Sequence, residues 1–340
     1  MTETHTLFAS MHLGDLGKTI KTSVQNKGFL GWQYNIIGVS DGITIGMRFS
    51  LQSREIIADS IKTMTCAQAH DACIVVPGCD KNIPGCVMGI IRHNRPSVFV
   101  YGGTQRGGFS KLLKRPIDIN TPSEARGAYM LGMIKDWLKD GNASLDEIIS
   151  DIKKNSVPGP GACGGMYTAN SLATVVETLG LSVPGSSSAP ASSPTNCESV
   201  AELAGLLDGS IMTVTGKTLA ENVESWPSLP QGQEVIRSLD NPIKASGHIE
   251  ILRGNIAPGG AVAKITGKEG TRFIGKAMVF NKESFLCTAL DQGKVPHNEN
   301  VVLVVRYEGP KGGLGIPEQL RASGILKGGG YTNVALITDG

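Results

Sequence analysis

The feature that most restricts the fold of this sequence is a repeated order of apolar run, glycine or proline turn, and helical pattern over residues 16–100. The runs at 34–40, 72–80 and 96–104 end in SDG, PGCD and YGGT, and residues 53–70 have apolar side chains at helical spacing. Strands that alternate with helices form parallel sheets covered on both faces. We therefore predict an α/β fold whose N-terminal domain contains a parallel sheet.

Beyond residue 121 the regular alternation of strand and helix patterns does not continue. Residues 122–150 hold two helix-like segments and the chain after Met166 is again helical in its spacing, but residues 226–245 resemble a linker. Beyond the linker come β-type segments with glycine turns. At roughly 150 residues per domain, 340 residues suit two domains. We predict an N-terminal domain over residues 1–228 and a β-rich, barrel-like C-terminal domain over residues 229–340.

Composition and charge exclude several classes of protein. The net charge of +2 provides no basic surface for nucleic acid and no polybasic patch for a membrane. No run approaches the roughly 18 apolar residues of a membrane span, and the first residues match neither a secretory signal nor an Arg-rich transit peptide. An odd number of cysteines, seven, in such a chain indicates reduced thiols, some of which can bind metal.

The turns at the strand ends are the candidate site. Ligands of open α/β sheets bind at the carboxyl ends of strands, so SDG, PGCDKN and YGGT are candidate parts of one site. PGCDKNIPGC is the densest in reactive side chains, with Cys79, Asp80, Lys81 and Cys86, but it also fits a tight turn with buried cysteines. Six residues separate the two cysteines, whereas paired zinc ligands have about two to four between them.

Three other segments can be interpreted either as parts of a binding site or as ordinary structural residues. In GPGACGGM, Cys163 lies in backbone that a bulky group can approach, or is a small core residue before a helix. In VSDG, Asp41 is an oxygen ligand or part of an ordinary Asp-Gly turn. In RYEGPKGGLGIPEQL, Glu308 or Glu318 is a metal ligand or a turn residue. That segment lacks P-loop spacing, and the chain has no G-x-S-x-G of a hydrolase.

Taken together, the segments resemble one known family. The matching segments, in chain order, are GVSDGITIG, SLQSREIIADS, PGCDKNIPGCVMG, NRPSVFVYGGT, GACGGMYTANSLA, VPGSSSAPA, GKTLAEN, NPIKASGHIEILRGNIAPGGAVAKITGKEG, RYEGPKGGLGIPE and VALITDG. From about Met11 to Gly340 the chain is similar to the dihydroxy-acid dehydratases, whose family includes sugar-acid and phosphogluconate dehydratases. MRFSLQSREIIADS is most similar to fungal members.

The resemblance implies a hydro-lyase that converts a 2,3-dihydroxy carboxylic acid into a 2-oxo acid, in branched-chain amino-acid synthesis or a related secondary pathway. It implies an α/β domain and a β-rich domain with the site between them. It also implies a [2Fe–2S] cluster, or a [4Fe–4S] cluster in some members, which three cysteines hold, and a Mg²⁺ ion. The open iron position then acts as a Lewis acid. The family further implies a homodimer, located in mitochondria in fungal relatives and otherwise in the cytoplasm.

Carried over by position, the resemblance assigns Cys79 and Cys163 to the cluster. It assigns Asp41, Asp80 and Glu318 to Mg²⁺, together with Lys81, whose family counterpart is carbamylated and so becomes an oxygen ligand. The other cysteines match no ligand position and are expected to be packed thiols: Cys66, Cys73, Cys86, Cys197 and Cys287.

The chain departs from the family pattern in four places. Ala9 of FASMHL stands where the family's N-P-C-N-M-H-L has the third cluster cysteine. ITIGMRFSL is shorter than the corresponding loop, and the helical segment around residues 201–205 is much shorter. The family continues after ITDG into R-F-S-G-G, whose serine is the base, so we expect the base beyond Gly340 and assign no catalytic residue.

Two interpretations remain open from the sequence. One is a dehydratase of the kind described above. The other is a degenerate, catalytically inactive paralogue with a binding role or none. A cluster on two thiolates is labile, and loss of a positioned base typically costs about 10²–10⁴-fold in rate, so we expect little turnover from these 340 residues.

Overall fold

The computed structural model describes most of the chain. The described residues are 12–39, 49–138, 143–182, 185–187, 189–191, 209–224, 231–232, 240–242, 249–264, 272–311 and 319–340.

The N-terminal part alternates helices with short strands as predicted. Its first elements are α1 (Leu13–Asn26), α2 (Ser50–Ala67), β1 (Cys73–Val75), α3 (Asn82–His93) and β2 (Ser97–Phe99). Strands β1 and β2 pair in parallel, and Phe99 forms a further parallel bridge with Ser182. The predicted parallel pairing is confirmed, and Phe99 at the end of β2 is fully buried.

Helix α3 packs closely on α2 because of its glycines. Gly85 and Gly89 face Ile57 and Ile61, and a Cβ at either glycine would lie 2.9 Å from the nearer isoleucine Cβ. These contacts belong to a core that also contains Phe99. The core fixes the start of α3, and with it the PGCDKN turn, against the end of β1.

The following elements form a second core. They are the antiparallel hairpin β3 (Gly108–Ser110) and β4 (Arg115–Ile117), then α4 (Thr121–Met130), a 3₁₀ turn (Ile134–Trp137) and α5 (Leu145–Asn155). Helix α6 (Thr168–Thr178) packs instead in the first core, and α7 (Leu219–Val223) follows it along the chain. Helix α5 begins with a capping box between Ser144 and Glu147, and it buries Ile148 and Ile152, four residues apart on one face.

The C-terminal part is more helical than expected. Its elements are the antiparallel hairpin β5 (Ile249–Leu252) and β6 (Ala261–Lys264), then β7 (Lys276–Phe280), α8 (Glu283–Asp291), β8 (Val301–Val305), α9 (Leu320–Gly328) and β9 (Val334–Thr338). Strands β7, β8 and β9 pair in parallel in that order. The predicted strands are confirmed, but α8 and α9 alternate with them, and the described strands form no closed barrel.

The N-terminal and C-terminal parts meet where α4 packs on α9. A Cβ at Gly127 would overlap the Ile325 carbonyl, and a Cβ at Gly328 would overlap the Glu124 carbonyl. Ion pairs flank the contact, between Lys327 and Glu124 at 2.6 Å and between Arg126 and Asp291. Backbone therefore lies directly on backbone across this helix pair.

One predicted strand is absent. Residues 34–39 of the run YNIIGVS have no strand pairing, although Ile36 and Ile37 pack against the first core. None of the helices in the described ranges has the length and apolar character needed to cross a membrane.

Candidate active site

The site is built from three loops that are joined by backbone hydrogen bonds. The central one, residues 101–105, follows β2. On one side the Gly102 N–H donates to the Pro77 carbonyl at 2.9 Å, which joins it to the PGCDKN turn. On the other side Ala162 N–H donates to Gly103 O at 2.9 Å and Gln105 N–H to Ala162 O at 2.8 Å, which joins it to the GACGG loop. The predicted convergence of the two turns PGCDKN and YGGT is confirmed.

Two glycines are required at these junctions. Gly103 has φ +88° and Gly161 has φ +128°, backbone conformations that residues other than glycine rarely adopt. A Cβ at Gly161 would overlap the Gln105 N–H that donates to Ala162, and a Cβ at Gly103 would overlap Ala191. The glycines therefore let the loops approach at backbone distance.

The PGCDKN turn places its reactive side chains immediately before the first turn of α3. Cys79, Asp80 and Lys81 are all less than a tenth exposed, and the Lys81 ammonium donates to Asp80 Oδ2. The Asn82 carboxamide accepts from the Gly78 N–H at 3.2 Å, which holds the turn closed. The N-terminal end of a helix carries partial positive charge, so this position favours thiolate and carboxylate groups.

Tyr101 is a buried residue of the central loop, which is joined to both of the loops that carry the assigned thiols. It is 5% exposed, and burial raises its pKa to about 12, with added contributions from the nearby Cys163 and Cys79 thiols. Both cysteines are thus within electrostatic reach of one hydroxyl. Asn170, in the first turn of α6, donates to the Tyr101 hydroxyl at 2.9 Å and to the Thr104 hydroxyl at 2.8 Å.

The start of the described chain also reaches the site. The His12 imidazole donates to the Gly102 carbonyl, and a Cβ at Gly102 would overlap the Leu13 side chain. The beginning of α1 therefore lies beside the central loop. Ala9, where the family has its third cysteine, lies outside the described residues.

A buried carboxylate positions the serine-rich loop that follows α6. Glu177 is 2% exposed and accepts hydrogen bonds from the Gly185 N–H and, at 2.8 Å, from the Ser187 N–H. Burial raises its pKa, and the backbone hydrogen bonds lower it in part. The loop then pairs with the central one, since Thr104 N–H donates to Ala189 O at 2.9 Å.

The predicted ligands are partly brought together. Cys79, Asp80 and Lys81 share one buried turn, and the central loop joins that turn to the loop of Cys163, whereas Asp41 and Glu318 lie outside the described residues. Within the described ranges, no group of three His, Cys, Asp or Glu side chains forms a metal-binding arrangement. The donor types suit a cluster and a hard cation, because the Cys79 thiol and the Asp80 carboxylate share one buried turn and the Cys163 thiol lies on a loop joined to it.

Glu308, the other glutamate considered, has a structural role. Its carboxylate accepts from the Glu283 N–H at the start of α8, at 2.7 Å. Asp339 accepts from the N–H groups of Tyr307 and Glu308 at 3.0 Å each. These carboxylates tie together the carboxyl ends of β7, β8 and β9.

The remaining cysteines are mostly packed thiols. Cys73, Cys86 and Cys287 are buried, and burial raises the pKa of each, that of Cys287 to about 11. The prediction is wrong for Cys66, which is exposed on α2, because its position on the helix faces away from α3 and the core. Cys197 lies outside the described residues.

Sequence reasoning missed Tyr101, Asn170 and Glu177. The motifs that contain the first two were noted for their glycines and their cysteine. Asn170 lies seven residues after Cys163, at the start of a helical pattern. The signal for its role was a carboxamide side chain in a stretch of otherwise small and apolar residues.

The chain matches two family models. Residues 1–205 match the dihydroxy-acid/6-phosphogluconate dehydratase N-terminal domain, and residues 234–340 match the corresponding C-terminal domain. These matches cover most of the chain and follow the order of the segments described above.

Curated relatives agree with the family models. A mitochondrial dihydroxy-acid dehydratase of Penicillium brasilianum is 38% identical over 433 positions, covering 97% of this chain and 71% of the relative. The mitochondrial enzyme of Schizosaccharomyces pombe is 39% identical over 434 positions, with the same two coverages of 97% and 71%. A bacterial dihydroxy-acid dehydratase, from Francisella tularensis subsp. novicida, is 38% identical and 75% covered.

The alignments are longer than the 340 residues of this chain, so the relatives carry internal residues that it lacks. This confirms the internal shortening inferred from the sequence. On both the family models and the identities, the chain belongs to the dihydroxy-acid/6-phosphogluconate dehydratase family.

Proposed function

We propose that this chain is a hydro-lyase that removes water from a 2,3-dihydroxy carboxylic acid to give a 2-oxo acid, in branched-chain amino-acid synthesis or a related secondary pathway. The observation that carries the proposal is the match of both family models, since three relatives named dihydroxy-acid dehydratase share about two fifths of its residues. The comparisons do not favour the alternative of an inactive paralogue.

We propose further that Cys79 and Cys163 hold a [2Fe–2S] or [4Fe–4S] cluster, and that Asp41, Asp80, Glu318 and carbamylated Lys81 bind Mg²⁺. When bound, the cluster supplies a Lewis acid for the leaving hydroxyl and Mg²⁺ supplies a cation for the substrate carboxylate. Support comes from the backbone hydrogen bonds that join the Cys79 turn and the Cys163 loop through residues 101–105, and from the Asp80 carboxylate next to Cys79.

The chain's own residues prepare this site for charged ligands. The loops around Tyr101 exclude water from Cys79 and Asp80, both 6% exposed, which strengthens electrostatic interactions there. The N-terminal end of α3 favours the negative charge of thiolate and carboxylate. The ammonium of Lys81 keeps the Asp80 carboxylate oriented in the turn until the lysine itself is modified.

The experiment combines iron and sulfide analysis with a product assay. The full chain, purified and reconstituted anaerobically, is expected to hold iron and sulfide and to form a 2-oxo acid from 2,3-dihydroxyisovalerate slowly. Cys79→Ser and Cys163→Ser should lose both iron and product. Cys66→Ser removes an exposed thiol away from the site, and it should change neither.

The test has a second arm at Ala9. Ala9→Cys should slow iron loss to a chelator, because it restores the thiol type that the family has at this position. Iron that stays bound when both Cys79 and Cys163 are replaced contradicts the ligand assignment. A reconstituted chain that holds its cluster and forms no 2-oxo acid from any 2,3-dihydroxy acid contradicts the proposed reaction.

We also propose a homodimer, and for a fungal host a mitochondrial location, because the fungal relatives are named mitochondrial. Size-exclusion chromatography with light scattering tests the first of these.

A further inference from the structure

The side chain of Gln319, the residue immediately before α9, is buried with its polar atoms unsatisfied. It is 4% exposed, and neither its amide nitrogen nor its carbonyl oxygen has a hydrogen-bond partner among the residues that the structure describes. Most buried side-chain polar atoms have a partner in the protein or in ordered water. A carboxamide offers two N–H donors and one acceptor. Gln319 therefore has the capacity to bind a molecule from outside the chain.

The backbone of Gln319 is strained as well. Its φ of +55° and ψ of 26° lie in the left-handed region, which costs energy for any residue with a side chain. Such conformations cluster at active sites and ligand-binding segments. An unsatisfied carboxamide and a strained backbone at one residue both indicate a role other than stability.

Gln319 lies at the edge of the C-terminal sheet where parallel sheets bind their ligands. The chain leaves the carboxyl end of β8, the middle strand, and next enters a described helix at α9. The first turn of α9 is tied to that edge, because the Ala322 N–H donates to Glu283 Oε1 at 3.0 Å and the Glu283 N–H donates to Glu308 at 2.7 Å. Ligands of open α/β sheets bind at the carboxyl ends of strands.

Helix α9 also begins beside the beginning of α4. A Cβ at Gly324 would overlap Ser123 near the start of both helices, and a Cβ at Gly329 would contact the Leu131 side chain where both end. The two helices therefore run in the same direction, and their N-terminal ends lie at one end of the pair. Each N-terminal end carries partial positive charge, so this position favours the oxygen atoms of an acid.

This end of the helix pair is connected to the proposed active site. Asn120, the residue before α4, accepts a hydrogen bond from the Tyr167 hydroxyl, and Tyr167 follows Cys163 by four residues. Gln319 itself directly follows Glu318, which the resemblance assigns to Mg²⁺. Two separate connections thus place Gln319 beside groups that are proposed to act on the substrate.

We infer that Gln319 is a substrate-binding residue, whose carboxamide forms a hydrogen bond with an oxygen atom of the bound acid. The inference rests on the proposed function, and it adds a residue to which the family resemblance gives no role. Every 2,3-dihydroxy acid carries such oxygens in its carboxylate and its two hydroxyls, and a sugar acid carries further hydroxyls. The N–H donors of Gln319 suit each of these oxygens, and its carbonyl oxygen suits a hydroxyl.

The test compares the wild-type full chain with Gln319→Met, which keeps the length of the side chain and removes both polar atoms. After anaerobic reconstitution with Mg²⁺ present, isothermal titration calorimetry measures the affinity for 2,3-dihydroxyisovalerate and for a 2,3,4-trihydroxy acid. We expect Gln319→Met to weaken affinity by about 10–100-fold. A loss for both acids assigns the hydrogen bond to the carboxylate or the two shared hydroxyls. A loss for the trihydroxy acid alone assigns it to the additional hydroxyl.

Urea denaturation without the acid separates binding from a structural role. Gln319→Met removes two unsatisfied polar atoms from a buried position, so the urea midpoint should stay the same or rise while the affinity falls. A carboxamide that served only the fold would lower the midpoint when it is removed. An affinity loss that comes with a lower midpoint therefore overturns the inference.

Gln292→Met is the matched control. Gln292 follows the last residue of α8, in the same part of the chain, and it is exposed. This substitution should leave the affinity for both acids unchanged. If Gln319→Met binds both acids as tightly as the wild type, the inference is wrong and the proposed function stands. If the wild-type chain neither binds nor dehydrates either acid, both are wrong.

Discussion

At the scale of single residues, Glu177 links protonation to the position of the serine-rich loop. Burial raises its folded-state pKa above 4.5, the ordinary value, so the folded state binds this proton more tightly than the unfolded chain does. Its contribution to the free energy of unfolding is therefore fully present below pH 4.5 and is lost as pH rises through the raised pKa. The expected sign is a fall in stability with rising pH in that window.

Glu177→Gln should remove this pH dependence and cost about 1–3 kcal/mol, because an amide nitrogen then faces the N–H of Gly185 or Ser187. Urea denaturation between pH 3.5 and 7 measures both effects. Glu147→Gln is a control of opposite sign: hydrogen bonds from the Ser144 N–H and hydroxyl lower the pKa of Glu147, so its contribution is lost as pH falls. A Glu177→Gln protein that keeps the pH dependence of the wild type contradicts the assignment.

At the scale of elements, the α4–α9 contact depends on glycine. Gly127→Ala places a methyl group on the Ile325 carbonyl, and we expect it to lower the free energy of unfolding by about 1–3 kcal/mol. Gly14→Ala on α1 is the matched control, because a Cβ there meets nothing within 4 Å; it should leave stability unchanged or raise it by up to about 1 kcal/mol. Denaturant titrations that show equal effects of the two substitutions would exclude tight packing at Gly127.

The elements also show what sequence can and cannot predict. Strands β1, β2, β7, β8 and β9 were predictable because β-branched runs end in glycine or proline turns. Helix α9 was not, because Gly324 and Gly328 weaken its helical pattern, and those glycines are present for contact with α4. The apolar run at 34–40 predicts burial correctly for Ile36 and Ile37, but a strand also requires a neighbouring backbone, and residues 34–39 pair with none.

In the site, too, local sequence patterns predict some residues and miss those that depend on tertiary contacts. Cys79, Asp80, Lys81 and Cys163 were identified from strand-end turns and from a family resemblance. Tyr101 and Asn170 were not, because their relation depends on a hydrogen bond across 69 residues, which no local pattern records.

At the scale of the whole molecule, the chain is predicted to have its domain boundary at residues 226–245, on the basis of composition. Limited proteolysis should cut first within this stretch, and the two fragments should still elute together under native conditions, because α4–α9 packing and the Arg126–Asp291 pair join them. Cleavage inside both halves with none in the stretch would contradict the boundary. Fragments that separate without denaturant would contradict the strength of the contact.

The glycine-lined contact between α4 and α9 also has a consequence during synthesis. Asp291 follows its partner Arg126 by 165 residues, and α9 comes later still. At about 5–20 residues per second, a ribosome needs on the order of ten to thirty seconds after synthesis of α4 to extend the chain as far as Asp291. For that interval the Gly127 face of α4 is uncovered in the nascent chain, and a chaperone can bind there until α9 packs against it.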